Sequence, residues 1–196
     1  MYQRNRKAYR ISILGILSAI ILVQNFVPLL GYIPIPPLNP TIIHITVIVA
    51  ALTLGTKDGM VIGGVWGVSR LVKAFIAPTS PLDLLLFTNP IISIVPRILV
   101  GFIAGYTFQL LKKKNGKESI AMIISSVLAS LTNTILVLFF IYIFYKDDYA
   151  AALNIDVSTL AKALGAIVMT NGVAEAVAAG IIAPIVARPL KKFKSN

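Results

Sequence analysis

The chain has 196 residues and a formal net charge of +11, yet only 13% of its residues are charged and 57% are hydrophobic. Soluble domains carry about 25% charged and 45–50% apolar residues, and a soluble fold of this length could not bury so much apolar surface. The composition therefore excludes an ordinary soluble domain. The absence of cysteine also excludes disulfides and thiolate metal sites.

The positive charge is concentrated in three clusters at the two ends of the chain and between two apolar segments. Cytoplasmic loops of membrane proteins carry an excess of Lys and Arg. The clusters therefore predict a multi-pass protein of the cell membrane with both termini cytoplasmic, and they argue against nucleic-acid binding. Their members are Arg4, Arg6, Lys7 and Arg10, then Lys112, Lys113, Lys114 and Lys117, and finally Arg188, Lys191, Lys192 and Lys194.

Six apolar segments are candidates for transmembrane helices, which need about 20 mostly apolar residues. The second segment is short, and an extra apolar stretch at 84–95 is predicted to be re-entrant or packed inside. The sequence thus predicts an all-α membrane protein, with one domain over 1–196 built as a bundle of six transmembrane helices. In chain order the segments are 11–27, 41–54, 59–77, 96–111, 119–145 and 159–187.

The predicted outer loops, 28–40, 78–96 and 146–156, include two that are rich in proline and unusually apolar. Proline removes a backbone donor and ends helices, so these two stretches are not expected to be continuous helix. Irregular backbone at membrane depth must be buried in protein or line a cavity. We therefore expect the apolar outer loops to cap a pocket.

The third segment carries Trp66, Arg70 and Lys73, which share one helical face. An aromatic plate with two cations suits an anionic or planar ligand. In the alternative interpretation, the two cations extend to the outer headgroups and Trp66 is a packing residue.

Arg97 follows Pro96, a residue favoured at the first position of a helix. This predicts that Arg97 lies at the outer N-terminus of the fourth helix, where an anion would meet free N–H groups, the helix dipole and the guanidinium. The alternative partner of Arg97 is a protein carboxylate, either Asp83 or Glu175.

Side-chain amides complete the candidate binding set. Asn133 and Asn171 offer donors and acceptors for the hydroxyl and amide groups of a small molecule, or else bond between helices. Glu175 lies four residues after Asn171 and is interpreted as a structural counter-charge. The predicted substrate-binding residues are Trp66, Arg70, Asn89, Arg97, Asn133 and Asn171.

Gly15 and Ala19 form a small-residue pair in the first helix that either packs internally or faces another subunit. The segment 55–59 is not a phosphate-binding P-loop, and the usual hydrolase motifs do not occur. We therefore expect no enzymatic activity and no cofactor. Energy for transport would come from an ion gradient or from another polypeptide.

The stretch IIHITVIVAALTLGTKDGMVIGGVWGVSRLVKAF, followed by APTSPLDLLLFTNPIISIVPRILVGFIAG, resembles the S component of an energy-coupling factor (ECF) transporter. The stretch is similar to the pantothenate-type members. The six apolar segments, the basic termini and the pair Gly15 and Ala19 fit the same family, and the resemblance spans nearly the whole chain.

This resemblance implies a subunit that binds a vitamin outside and joins a membrane coupling subunit and two cytoplasmic ATPases. It implies a pocket between the outer loops and the fourth to sixth helices. Gly15 and Ala19 stand where the family's A-x-x-x-A motif contacts the coupling subunit, with glycine replacing the first alanine. Pantothenate is the first choice of ligand. Hydroxymethylpyrimidine, folate and riboflavin remain open, as does an ion-coupled carrier in which Glu175 titrates.

Overall fold

The computed structural model describes residues 2–27, 29–32, 40–115 and 117–195, and these residues form eight α-helices and one π-helical turn. The all-α architecture is therefore confirmed. The elements are α1 Tyr2–Phe26, α2 Ile43–Leu54, α3 Thr56–Ile76, α4 Pro81–Phe87, α5 Pro90–Asn115, α6 Glu118–Ala152, α7 Val157–Ile167, the π turn Val168–Gly172, and α8 Val173–Ser195.

Within the described ranges, four helical segments are long and apolar enough to cross a membrane. The last of them combines α7, the π turn and most of α8. Two shorter apolar segments, Arg10–Phe26 and Ile43–Leu54, accompany the four. The long segments are Thr56–Ile76, Pro90–Lys114, Glu118–Ala152 and Val157–Lys191.

The second predicted outer loop is mostly helical, which corrects the expectation drawn from its prolines. Pro81 is the first residue of α4, where a missing N–H costs nothing, and Ser80 caps that helix by accepting a bond from the Asp83 N–H. Helix α5 begins at Pro90 and continues through Pro96. Proline at a helix start therefore accounts for part of a pattern that looked like a loop.

The third predicted outer loop is also shorter than expected, because α6 continues to Ala152. Its backbone departs from helical geometry at Tyr145, where φ is −138° and ψ is 27°. This departure bends the C-terminal end of the helix, and Tyr149 beyond it is buried in a cluster with Leu86, Ile141 and Leu160. The segment beyond the predicted end of the fifth helix is thus part of the packed structure.

Helices α3 and α5 approach each other through glycine. A Cβ on Gly63 would overlap the carbonyl oxygen of Arg97, and a Cβ on Gly101 would overlap the backbone of Gly59. Small residues at such positions let helix backbones come close in membrane proteins. The close approach brings Trp66 of α3 next to Arg97 of α5.

Candidate functional site

A cavity of about 390 Å³ lies between α3, α4, α5, α6 and the segment around the π turn. Pockets for small molecules range from about 300 to 1,000 Å³, so it can hold a vitamin-sized compound. Its polar lining comprises Thr41, Arg70, Lys73, Thr79, Ser80, Asp83, Arg97, Asn133, Thr134, Asn171 and Glu175, and its aromatic lining comprises Tyr32, Trp66, Phe87 and Tyr149.

Most of the predicted binding residues come together at this cavity. Trp66, Arg70, Arg97, Asn133 and Asn171 all line it. Four separate elements supply them, namely α3, α5, α6 and the π turn. The sequence pattern therefore selected residues that the fold brings to one place.

Asn89 is the one predicted binding residue that is not among those lining this cavity. Its side-chain oxygen accepts a hydrogen bond from the Ile91 N–H at 3.0 Å, as in a helix N-cap at the start of α5. Its amide nitrogen lies 3.4 Å from the Tyr145 hydroxyl. The asparagine thus organises a helix start, a role that its position before Pro90 could have indicated.

Lys73 points inward instead of extending to the outer headgroups. Only 8% of the residue is exposed, and its Nζ donates to the carbonyl oxygen of Asn25 at 2.6 Å. That carbonyl belongs to the last turn of α1, where carbonyl groups lack helical partners. Lys73 therefore both lines the cavity and ties the end of α1 to α3.

Arg70 and Asp83 form a buried ion pair, with side chains 6% and 5% exposed. The Thr79 N–H and hydroxyl also donate to the same carboxylate, at 3.0 and 3.2 Å. Burial raises the pKa of Asp83, but the hydrogen bond and charge of Arg70, together with Thr79, outweigh it and hold this pKa below its ordinary value. The charge of Arg70 is thus compensated inside the protein.

Arg97 lies well inside α5, not at its N-terminus, because the helix begins at Pro90. The expected cradle of free N–H groups is therefore absent at this residue. Pro96 has no N–H to donate to the carbonyl of Ile92, and the Arg97 Nη1 donates to that carbonyl instead, at 2.5 Å. The proline thus frees a backbone acceptor that anchors the guanidinium.

The surroundings of the Arg97 guanidinium are largely aromatic. Its Cζ lies 5.0 Å from the centre of the Trp66 ring and 5.4 Å from that of Phe87, and the residue is 4% exposed. In the part of the chain that the structure describes, Nε has no hydrogen-bond partner and no carboxylate lies within ion-pair distance. Arg97 is thus a buried cation without a counter-charge in contact.

Glu175 does not pair with Arg97, and neither does Asp83. One oxygen of Glu175 accepts from the Thr41 N–H at 2.7 Å, and the other accepts from the Thr134 hydroxyl at 3.0 Å. No basic side chain among the described residues lies within ion-pair distance of it. Glu175 therefore joins α8 to α6 and to the segment before α2, and its carboxylate remains at the cavity wall.

The charges of the lining residues leave the cavity positive. Three cationic side chains, Arg70, Lys73 and Arg97, face two carboxylates, so one net positive charge remains when all are ionised. Asn133 adds a buried side-chain oxygen that lacks a hydrogen-bond partner within the described residues. Because buried polar groups are normally paired, the cavity suits a single anionic group together with a hydrogen-bond donor.

Several lining residues were not predicted. Phe87 lies on the short helix α4, with its ring centre 4.0 Å from the Arg70 Cζ, and Thr134 follows Asn133 on α6. The sequence did contain a signal for α4, since Ser80, Pro81 and Asp83 form the start pattern of a helix. Tyr32, Pro40 and Thr41 also line the cavity, whereas positions 28 and 33–39 of the first predicted outer loop lie outside the described residues.

Comparison with known proteins identifies the family. The family described as "ECF transporter, substrate-specific component" matches residues 9–187. The chain belongs to this family. Because these proteins are the substrate-specific components of transporters, the family confirms both the resemblance seen in the sequence and the prediction that the chain is not an enzyme.

Two relatives and one solved structure place this S component more closely. It is 41% identical over 137 residues, or 67% of each chain, to the pantothenate transporter PanT of Leuconostoc mesenteroides. It is 30% identical to the pantothenic acid transporter PanT of Lactococcus lactis subsp. cremoris, over 98% of this chain and 99% of that protein. The crystal structure of the S component for biotin from an ECF-type ABC transporter shares the fold, with a TM-score of 0.57 at 17% identity over 94% and 93% of the two chains.

The two cavity arginines should differ in their effect on stability. Arg70→Met leaves Asp83 buried and unpaired, which we expect to lower the free energy of unfolding by about 3–5 kcal/mol. Arg97→Met removes a buried cation that has no counter-charge in contact, and this gain offsets the loss of the hydrogen bond to the Ile92 carbonyl, so stability should change by less than about 1 kcal/mol or rise. Thermal unfolding of the purified variants without substrate measures this difference. Equal losses would show that Arg97 is a structural charge.

Proposed function

We propose that this S component binds pantothenate in the cavity, on the outer side of the membrane, for import by an ATP-driven ECF transporter. The observation that carries the proposal is Arg97, a buried cation without a contacting carboxylate among the described residues, in a cavity with one net positive charge. Pantothenate is a monoanion, and both relatives named above are pantothenate transporters.

The chemistry of the lining matches the groups of pantothenate. The carboxylate would pair with Arg97, whose planar guanidinium binds carboxylates well. Trp66 would pack on the aliphatic part, while Asn133 and Asn171 would bond the amide and hydroxyl groups. Glu175, already held by two hydrogen bonds, would accept a further bond from a hydroxyl. Arg70 would act through its charge, because Asp83 holds its guanidinium.

Pantothenate binding is tested with Arg97→Met in the isolated subunit. Loss of a buried partner of a charged group typically costs about 2–5 kcal/mol, so affinity should fall at least roughly thirtyfold. Arg188→Met makes the same substitution at an exposed residue away from the cavity and should leave affinity unchanged. Calorimetric titration with pantothenate measures both variants. Equal affinity of Arg97→Met and wild type removes Arg97 from the site, and no binding by wild type points to a neutral ligand such as hydroxymethylpyrimidine.

We further propose that the chain forms one domain of six transmembrane helices. In this proposal the two shorter apolar segments, Arg10–Phe26 and Ile43–Leu54, cross the bilayer together with the four long ones. Both short segments pack against the long helices. The predicted apolar outer loops would cap the cavity from the outside, and the positions of Tyr32 and Thr41 in its wall support this arrangement.

The proposed orientation has both termini in the cytoplasm. Lys112 at the end of α5 and Lys191 near the end of α8 both contact Glu118 at the start of α6, so these helix ends lie together. Lys73, near the C-terminal end of α3, and Arg97, in the N-terminal half of α5, line the cavity. Arg97 thus lies in the half of α5 that is away from Lys112. When the helix ends that carry Lys112 and Lys191 lie on the cytoplasmic side, the cavity opens to the outside of the cell.

Cysteine labelling tests the orientation, since the chain contains no cysteine of its own. In intact cells, Asp147→Cys should react with a membrane-impermeant maleimide, whereas Lys114→Cys should react only after the cells are permeabilised. Both residues are exposed, so a difference between them reports the side of the membrane. The opposite labelling pattern would refute the proposed topology.

The proposed partners are a membrane coupling subunit and two cytoplasmic ATPases, because the chain has no P-loop of its own. Gly15 and Ala19 support a docking role for α1. Both are exposed, and a Cβ on Gly15 would meet no atom within 4 Å. Arg10 bonds Asp58 and Gln24 bonds Thr46, so α1 is held to the bundle on either side of this pair.

Docking is tested by Gly15→Leu and Ala19→Leu. A bulky side chain between closely packed helices costs about 1–3 kcal/mol, so assembly with the coupling subunit and uptake should fall about tenfold or more. Pantothenate binding by the isolated chain should persist, because the Gly15 side faces open space. Gly165→Leu, at an equally open glycine on α7, is the matched control. Loss of pantothenate binding in the two α1 variants would contradict the docking role.

A further inference from the structure

The last membrane-spanning segment contains a π turn at the level of the cavity. The turn, Val168–Gly172, includes Asn171, which lines the cavity. Gly172 packs against α6, where a Cβ would lie 3.2 Å from the Thr134 Cγ2. A π turn closes its hydrogen bonds over one more residue than an α turn, and such turns are frequent at functional sites. The extra residue of this π turn therefore lies where it can change the direction of a side chain that lines the cavity.

The spacing of the buried residues shows why the turn is needed. Leu160 and Leu164 are the buried residues of α7, and Ala176, Ala179 and Ala183 are buried in α8. Leu164 and Ala176 are twelve positions apart, which in a regular helix would place them about 120° apart around the axis. With one residue taken up by the π turn, eleven positions remain and the offset falls to about 20°. The turn thus keeps both buried faces on the same side.

The turn also decides the direction of Asn171. Asn171 follows Leu164 by seven positions, about two helical turns, and so continues the buried face of α7. In the register of α8 it would instead precede Gly172 by one position, about 100° away from the buried face. The exposed side of the turn is formed by Thr170 and by Met169, which is 71% exposed. The additional residue therefore allows Asn171 and Gly172 to face inward together.

We propose that the π turn is a positioning element that directs Asn171 into the cavity to recognise a hydroxyl or amide group of the substrate. The proposal rests on the proposed function, because it takes the cavity as the pantothenate site. The number of residues in the turn, and not the side chain of Met169, determines the direction of the Asn171 side chain. Substrate recognition thereby depends on the number of residues between α7 and α8.

Deletion of Met169 tests the proposal by removing one residue from the exposed side. The shortened segment can form a regular helix that keeps both buried faces within about 20° but turns Asn171 away from the cavity. Pantothenate affinity should fall about tenfold, as it should in Asn171→Ala, because each loses one hydrogen bond to the ligand. The combined variant should bind no more weakly than either single variant. Met169→Ala keeps the length and should bind like wild type.

The outcomes separate the two proposals. Failure of wild type to bind pantothenate would refute the proposed function, and the inference would fall with it. Normal binding by the deletion variant, or losses that add in the combined variant, would refute the positioning role alone. If the deletion variant does not fold, hydrogen exchange of wild type decides. Pantothenate should slow amide exchange at 168–172 more than in α7, and an unchanged rate there would overturn the inference.

Discussion

The candidate site depends on a buried guanidinium, that of Arg97, which forms no ion pair with any carboxylate in the described part of the chain. A charged side chain in a membrane bundle is costly and requires either a partner or a wet cavity. Arg97 donates one hydrogen bond to the Ile92 carbonyl, which Pro96 leaves free, and two aromatic rings, Trp66 and Phe87, flank it. This arrangement fixes the cation without neutralising it. Its remaining attraction is available to an anion.

The other charged residues of the cavity are each held by the protein. Asp83 compensates Arg70, Lys73 bonds the end of α1, and Glu175 is bonded by Thr41 and Thr134. A cavity whose groups are already oriented loses less entropy when a ligand binds. The same contacts join α1, α4 and the segment before α2 to the bundle. The residues that line the cavity therefore also hold these elements in place.

The sequence predicted the class of protein and most of the candidate site, because these depend on strong local signals. Apolar composition and basic clusters indicate a membrane bundle, and polar side chains inside apolar segments are rare enough to mark a cavity. Trp66 and Arg70 share one face of α3 however the helices pack, because they are four positions apart. The failures concern backbone breaks. Pro96 was taken as a helix start, although Arg97 can satisfy the carbonyl that it frees, and the start of α5 at Asn89 and Pro90 was not recognised.

By itself, the sequence determined that this chain is an all-α membrane protein, since hydropathy and charge distribution do not depend on packing. Only the tertiary structure decided which ions pair. Arg70 and Asp83 are close because α4 folds back over α3, while Glu175 reaches Thr41 across 134 positions of sequence. It also decided the direction of Asn171, because a π turn changes which way a side chain faces without leaving a distinctive residue type. Contacts between distant segments depend on packing geometry, which residue spacing within one helix does not encode.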